Sequence, residues 1–357
     1  MSLPVTYVEG FHDVDLVKKM QYVQLGKTDM HVSRLSLGTS AFGSVFRQTD
    51  DKESHEVLKV ALKSGINYLD CAPWYGHGKA ETVLGQALKS IPRQAYYVAT
   101  KVGRYLPEAT KMFDFSAERT MRSVDESLQR LGLEYIDVIQ VHDMEFAPSL
   151  DVIINETLPA LQKCKDMGKV RHIGITGYPL ENFRTVLERS TVKIDTILTY
   201  CRCAMNDTSL REYYPYLKER GVGILNGSPI GMGLLTHRGP ADWHPATQEI
   251  REKCAEAARY CQEQNVDISK LAMQFALEQP EPHSTMFSTA SLVNLQKNLE
   301  VYWNGVTDGE RKVMEEVMER FMNTISCNHW EGVEEKLYWK AIQDAKNLGK
   351  DTLPNLG

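Results

Sequence analysis

Apolar positions along this chain keep switching between two periods. Runs such as LSLG (from Leu35), INYLD (from Ile66), YYVATK (from Tyr96) and YIDVIQVHD (from Tyr135) are continuous or alternating, as buried strands are. Between them, ESHEVLKVALKSG, ETVLGQALK and AERTMRSVDESLQRLG repeat apolar residues three and four apart, as one face of a helix does. Ser116 stands where the third of these helices needs an N-cap. The rhythm continues through ETLPALQKCKDMG, VRHIGIT, LENFRTVLERS, KIDTILTY, SLREYYPYLKERG and VGILN. A long insertion, GSPIGMGLLTHRGPADWHPATQE, then breaks it. Two helical patterns, EIREKCAEAARYCQEQ and SKLAMQFALEQ, precede a last strand, STMFS, and its helix, LVNLQKNLEVY.

Eight strands, each short and apolar and followed by helical sequence, predict an α/β fold of the (β/α)8 TIM-barrel type in a single domain. An open sheet binding a dinucleotide would carry GxGxxG after its first strand, and this chain has none. The barrel is expected over residues 20–328. Residues 1–19, mixed in polarity and without a period, read as an N-terminal extension with little order. GVTDGERKVMEEVMERF adds a helix beyond the eighth unit, and the C-terminal tail at 329–357 reads as a flap or an extra helix.

Composition narrows the partners. The 357 residues carry 41 Lys+Arg against 47 Asp+Glu, a net charge of -6 with no long run of either sign, so neither nucleic acid nor an anionic membrane is an expected partner. No apolar run approaches the roughly 20 residues of a membrane span, and the start lacks the apolar core of a signal peptide, which makes the cytoplasm the expected compartment. Seven scattered cysteines without a CxxC pair argue against a disulfide framework and against a zinc site, and no metal is expected. Cys201 and Cys203 read as reduced thiols on one face of a strand.

The chemistry collects at strand ends. Asp70, Lys101 and His142 each end a separate strand, and Tyr75 follows in the loop after Asp70. In a barrel these positions share the C-terminal rim, where active sites are built. A free tyrosine has a pKa near ~10 and transfers protons poorly at neutral pH; an adjacent ammonium lowers that value. Lys101 is the candidate ammonium. A buried lysine in turn needs a carboxylate to stay charged, which is the place of Asp70, and His142 can orient a carbonyl or alcohol oxygen towards Tyr75.

The DxxxxY spacing, the Lys at the end of the next strand and the His at the end of the fourth resemble the tetrad of the aldo-keto reductase family. The resemblance runs over about Met20 to Tyr302. FDFSAERTMRSVDESLQRL, GVGILNGSPIGMGLLT and GPADWHPAT resemble the L-galactose dehydrogenase-like branch. It implies an NAD(P)-dependent oxidoreductase that moves hydride between nicotinamide and a sugar lactol or a small aldehyde or ketone. Asp70, Tyr75, Lys101 and His142 would carry catalysis, with Tyr75 as general acid and base. It also implies cofactor contacts: the first-strand turn Gly38, Thr39 and Ser40; Thr176; a pyrophosphate loop of Ser228, Pro229, Ile230, Gly231 and Gly233; and an adenosine segment of Ser288, Thr289, Ala290 and Ser291, with Asn294 and Asn298 on the following helix.

Two positions depart from the family's pattern. Thr176-Gly177 stands where many members have Ser-Asn to grip the carboxamide, and Gly227 stands where many have an aromatic under the nicotinamide. NADP-preferring members carry basic residues where this chain has Ser288 and Asn294, which points to NAD, with NADP as the alternative. Two other readings compete. One is a cofactor-binding regulatory subunit resembling the potassium-channel β subunits; the other is a metal-dependent barrel hydrolase, which would need several histidines and carboxylates at strand ends. The sequence leaves the oligomeric state open.

Overall fold

The computed structural model describes residues 3–348. Eight parallel strands close into a barrel: β1 Leu35–Gly38, β2 Tyr68–Asp70, β3 Tyr97–Val102, β4 Ile136–Val141, β5 Val170–Thr176, β6 Thr196–Tyr200, β7 Gly223–Gly227 and β8 Ser284–Ser288. The last strand closes on the first, with Thr285 opposite Leu35 and Ser288 opposite Gly38. Helices cover the outside and side chains fill the inside, so every residue of β3 and β4 is buried.

The outer helices follow the expected period. The helix Ala117–Leu131 buries Thr120, Ser123, Val124, Ser127 and Leu131 against the barrel. The Ser116 hydroxyl accepts from Arg119 N at 3.3 Å, and Gly132, at φ +65°, ends the helix in the left-handed conformation that glycine adopts without penalty. The helix from ETLPALQKCKDMG begins earlier than its pattern suggests, with a π-helical turn at Ile153–Thr157 leading into Leu158–Asp166.

Three features differ from the sequence reading. Residues 3–19 are ordered by contacts with the barrel: Asp13 caps the helix Val14–Lys19, Asp13 N donates to Lys63 O at 3.0 Å, and Asn67 Nδ2 donates to Thr6 Oγ1 at 3.0 Å. These partners lie far away in sequence, so no local period announces them. A hairpin, Tyr22–Gln24 paired with His31–Ser33, closes the N-terminal end of the barrel. Its Leu25, Met30 and Val32 are fully buried in one cluster with Tyr97, Val138 and Leu225, each burial contributing roughly 1.5–3 kcal/mol. Cys201 and Cys203 fall after the end of β6, in a turn where Cys201 has φ +59°, and so do not share a strand face.

The described part of the tail, 329–348, is a short non-helical lead followed by the helix Val333–Leu348, and residues 349–357 lie outside the described residues. Tyr338 docks it against Ala109, Met112 and Phe146 in the loops after β3 and β4. Among the described residues no helix is long and apolar enough to cross a membrane.

Candidate active site

Asp70 is the last residue of β2, opposite Gly38 on β1. Thr39 holds it there, donating to Asp70 O from its backbone N at 2.8 Å and from Oγ1 at 2.9 Å. Lys101 lies on β3, one residue before its end, and points into the same rim. Its Nζ donates to Asp70 Oδ1, to Cys71 O at 2.9 Å and to Tyr75 Oη at 3.2 Å, which uses all three ammonium hydrogens. His142 follows β4 directly, with its N donating to Val102 O at 2.8 Å and its ring meeting the Tyr75 ring edge-on, centroids 5.9 Å apart. The four residues proposed from the sequence therefore meet at one end of the barrel.

Tyr75 owes its place to a tight loop. Tyr75 N donates to Ala72 O at 3.1 Å, and Gly76, at φ +64°, lies so close to the first-strand turn that a Cβ there would come within 2.3 Å of Gly43 O. Only glycine permits that approach.

The charges are set by burial and by neighbours. Burial would lower the Lys101 ammonium, but the Asp70 carboxylate and the Tyr75 hydroxyl overcome it and raise its pKa. Burial pushes the Tyr75 phenol up to about 12, and Lys101 pulls it back only in part while Asp70 pushes the other way. The ammonium therefore moderates the phenol without bringing it below its ordinary value, contrary to the expectation from sequence. His142 is pushed down to about 3, chiefly by burial, so its imidazole is neutral. At neutral pH the site presents a neutral phenol, a neutral imidazole and an ammonium-carboxylate pair.

Residues that the sequence reading left out complete the rim. Gln140 Nε2 donates to Asp70 Oδ2 at 2.8 Å, holding the oxygen that Lys101 leaves free. Its signal was available: in the strand pattern YIDVIQVHD, Gln140 and His142 are two apart and so are expected to face the same way. Arg104 Nη1 donates to Asp143 Oδ2 at 2.7 Å, with its guanidinium 4.1 Å over the Trp74 ring. Asp143, at φ +48°, is fixed further by donation from its N to Thr176 Oγ1 at 3.0 Å.

This rim opens into one long cleft of about 1690 Å³ that continues past β7 and β8 to the helix Leu292–Asn304. The fold agrees with that of known proteins. The Aldo/keto reductase family model matches residues 34–319. The chain belongs to the aldo/keto reductase family. As a member it is an oxidoreductase acting on carbonyl or CH–OH groups. It is 43% identical over 284 residues to an L-galactose dehydrogenase of Arabidopsis thaliana, covering 79% of this chain and 88% of that protein. A D-arabinose 1-dehydrogenase of Saccharomyces cerevisiae is 33% identical over 265 residues, with 70% and 76% covered. Among solved structures, the holo form of an aldo-keto reductase from Bacillus halodurans superposes with a TM-score of 0.66 at 27% identity, covering 84% of this chain and 96% of that one.

Aldo/keto reductases use nicotinamide cofactors, and the cleft of this member has the features such a group needs. Gly38, Ser40, Thr176, Ser228, Pro229, Ile230, Gly233, Ser288, Thr289, Ala290, Asn294 and Asn298 all line it. The loop after β7 winds through positive φ at Ser228, Gly231, Met232 and Gly233, the kind of backbone that forms anion-binding concavities, although Gly231 N and Gly233 N are bonded within the turn to Ser228 O and Ile230 O; at the start of the helix after Ser291 the first amide, Leu292 N, donates to Glu53 Oε1 at 3.1 Å. Three of the expected residues do not line the cleft. Thr39 is spent on Asp70, Gly231 shapes the turn, and Ser291 N donates to Thr289 Oγ1 at 3.1 Å. Tyr200, at the end of β6, lines the cleft beside Gly227, where a Cβ would lie 3.5 Å from Tyr200 Cβ. It brings an aromatic ring next to the position where the family's usual aromatic is missing. A Cβ at Gly177 would come within 2.7 Å of Glu145 Oε2, so any other residue there would have to displace the Glu145 carboxylate.

Proposed function

We propose that this chain is an NAD-dependent dehydrogenase of sugar lactols resembling L-galactose, oxidised at C1, with Tyr75 as the proton-transferring group. The observation that carries the reading is Lys101 Nζ bridging the Asp70 carboxylate and Tyr75 Oη inside the cleft. When bound, the nicotinamide would supply or accept the hydride. In reduction Tyr75 gives its phenolic proton to the carbonyl oxygen; in oxidation the same oxygen takes the proton back, with Lys101 stabilising the phenolate. His142, being neutral, donates or accepts one hydrogen bond and orients the reacting oxygen without competing for its proton. Gly38, Ser40, Thr176, Ser228, Pro229, Ile230, Gly233, Ser288, Thr289, Ala290, Asn294 and Asn298 would hold the cofactor.

The choice of a sugar draws support from the two relatives named for L-galactose and D-arabinose. The choice of NAD draws on charge. Two lysines, Lys270 and Lys297, line the adenosine end of the cleft, but each already faces a carboxylate: Lys270 lies 2.6 Å from Glu310 and Lys297 4.0 Å from Asp267. A 2′-phosphate would have to compete for them, and it would meet those carboxylates too.

The test is NADH formation by the purified protein with L-galactose, D-arabinose and other aldoses, NAD and NADP being compared at matched concentrations. Turnover of an aldose with NAD at least as effective as NADP is expected. A kcat/KM more than about tenfold higher with NADP, roughly 1.4 kcal/mol, would overturn the cofactor assignment. No reaction with any sugar would move the substrate to small aldehydes and ketones.

A further inference from the structure

The helix Val333–Leu348 lies beyond the residues that the family model matches, yet Glu334, Leu337 and Tyr338 from its first turns line the same cleft as Tyr75 and His142. It is firmly seated. Arg202 Nη2 lies 2.8 Å from Glu331 Oε1, Trp330 stacks on Tyr178 with ring centroids 4.7 Å apart, and Trp330 N donates to Tyr178 Oη at 3.1 Å. These contacts set the start of the helix across the mouth of the barrel.

The wall it completes is chemically mixed. Arg104 and Asp143 come from the loops after β3 and β4 and line the cleft, paired at 2.7 Å, while Arg104 Nε is buried without a protein partner. Glu334 adds a second carboxylate. Burial pushes its pKa up to about 6, the Arg104 charge and the Trp330 side chain holding it back while Asp143 and Glu335 raise it, so it is mostly ionised at neutral pH. Trp74, Phe146 and Tyr338 bring aromatic side chains to the same cleft. Keeping two carboxylates and a guanidinium partly out of water is costly, and the Arg104–Asp143 pair meets only part of their hydrogen-bonding capacity, Arg104 Nε being left for a ligand. A small apolar carbonyl compound supplies no hydrogen bond at a distance from its reacting carbon. A cyclic aldose supplies several hydroxyls, each donor and acceptor, around a ring whose C–H face suits an aromatic wall.

We infer that Glu334, with Arg104 and Asp143, binds the hydroxyl groups of a cyclic aldose remote from its reacting carbon, so that a helix outside the family match sets substrate choice. This rests on the sugar reading above. Here Glu334 touches substrate but takes no part in proton transfer, so its loss falls on KM more than on kcat.

The experiment compares wild type, Glu334→Gln and Glu334→Asp in two reactions, L-galactose oxidation with NAD and butanal reduction with NADH. NADH affinity is followed by fluorescence to verify the cofactor site in each variant. Glu334→Gln is expected to raise the KM for L-galactose at least tenfold, and to lower the ratio of L-galactose to butanal kcat/KM by about the same factor, with Glu334→Asp recovering part of it. An unchanged ratio in Glu334→Gln, in a protein whose wild type oxidises the aldose, overturns the inference alone. A wild type that reduces butanal but oxidises no aldose overturns the sugar reading, and the inference with it.

Discussion

Gln140 and Asp70 lie on strands separated by β3, yet Gln140 Nε2 donates to Asp70 Oδ2 at 2.8 Å across the barrel interior. Lys101 takes the other oxygen of the same carboxylate, so Asp70 is held at both ends and fixes the ammonium beside Tyr75. A hydrogen bond to a charged group contributes roughly 1.5–3 kcal/mol. Gln140→Leu, similar in size and unable to donate, is therefore expected to lower kcat about tenfold or more while NADH affinity stays within about twofold. Steady-state kinetics and a cofactor titration measure both. Normal kcat in this variant would show that Lys101 alone positions the carboxylate.

Tyr75→Phe keeps the edge-on contact with His142 and removes only the hydroxyl that Lys101 reaches. Turnover is expected to fall at least ~100-fold, the usual scale of general acid-base help, with cofactor affinity retained. Turnover near that of the wild type would take Tyr75 out of the mechanism.

The pH profile of butanal reduction follows from the same groups. Burial pushes the Tyr75 phenol up to about 12, Lys101 opposing it in part, and pushes the His142 imidazole down to about 3. A raised phenol pKa keeps the donor protonated, and a lowered imidazole pKa keeps His142 neutral, so neither changes state between about pH 5 and pH 9. In Glu334→Gln, which removes the cleft carboxyl pushed up to about 6, the expected kcat/KM profile is flat across that interval. A limb centred inside it, retained when other titrating groups are replaced, would mean that a neighbouring charge outweighs burial at Tyr75.

At the opposite end of the barrel, Asp195 is buried between Lys193 at 2.7 Å, Lys165 at 3.3 Å and His172 at 3.5 Å, and accepts from Ile173 N at 3.2 Å. Burial alone would raise its pKa; the hydrogen bonds from His172, Lys193 and Ile173 N, with the Lys165 charge, outweigh burial and hold it well below the usual carboxylate range. A carboxylate lowered on folding stabilises the fold above its unfolded pKa and loses that contribution as pH falls through the folded value. Asp195→Asn should therefore lower Tm at pH 7, with the gap to wild type narrowing between about pH 4 and pH 2. A gap independent of pH over that range would show that the residue acts through packing and not through its charge.

Much of this protein is written in the periodicity of its chain. Alternating strands and amphipathic helices determine a barrel because each element must bury its apolar side against the next, and strand ends then place Asp70, Lys101 and His142 on one rim, with Tyr75 in the adjoining loop. What periodicity cannot carry is contact between residues far apart in sequence. The N-terminal segment has no pattern of its own and is ordered through Lys63 and Asn67; the plugging hairpin is recognisable only once Leu25 and Met30 meet Leu225; and the tail reaches the cleft only because Trp330 finds Tyr178 and Tyr338 finds Phe146. The sign of the Tyr75 shift also belonged to the tertiary structure. Sequence named the ammonium that lowers the phenol's pKa, but the loss of water around the hydroxyl, which raises it and prevails, depends on everything packed around it.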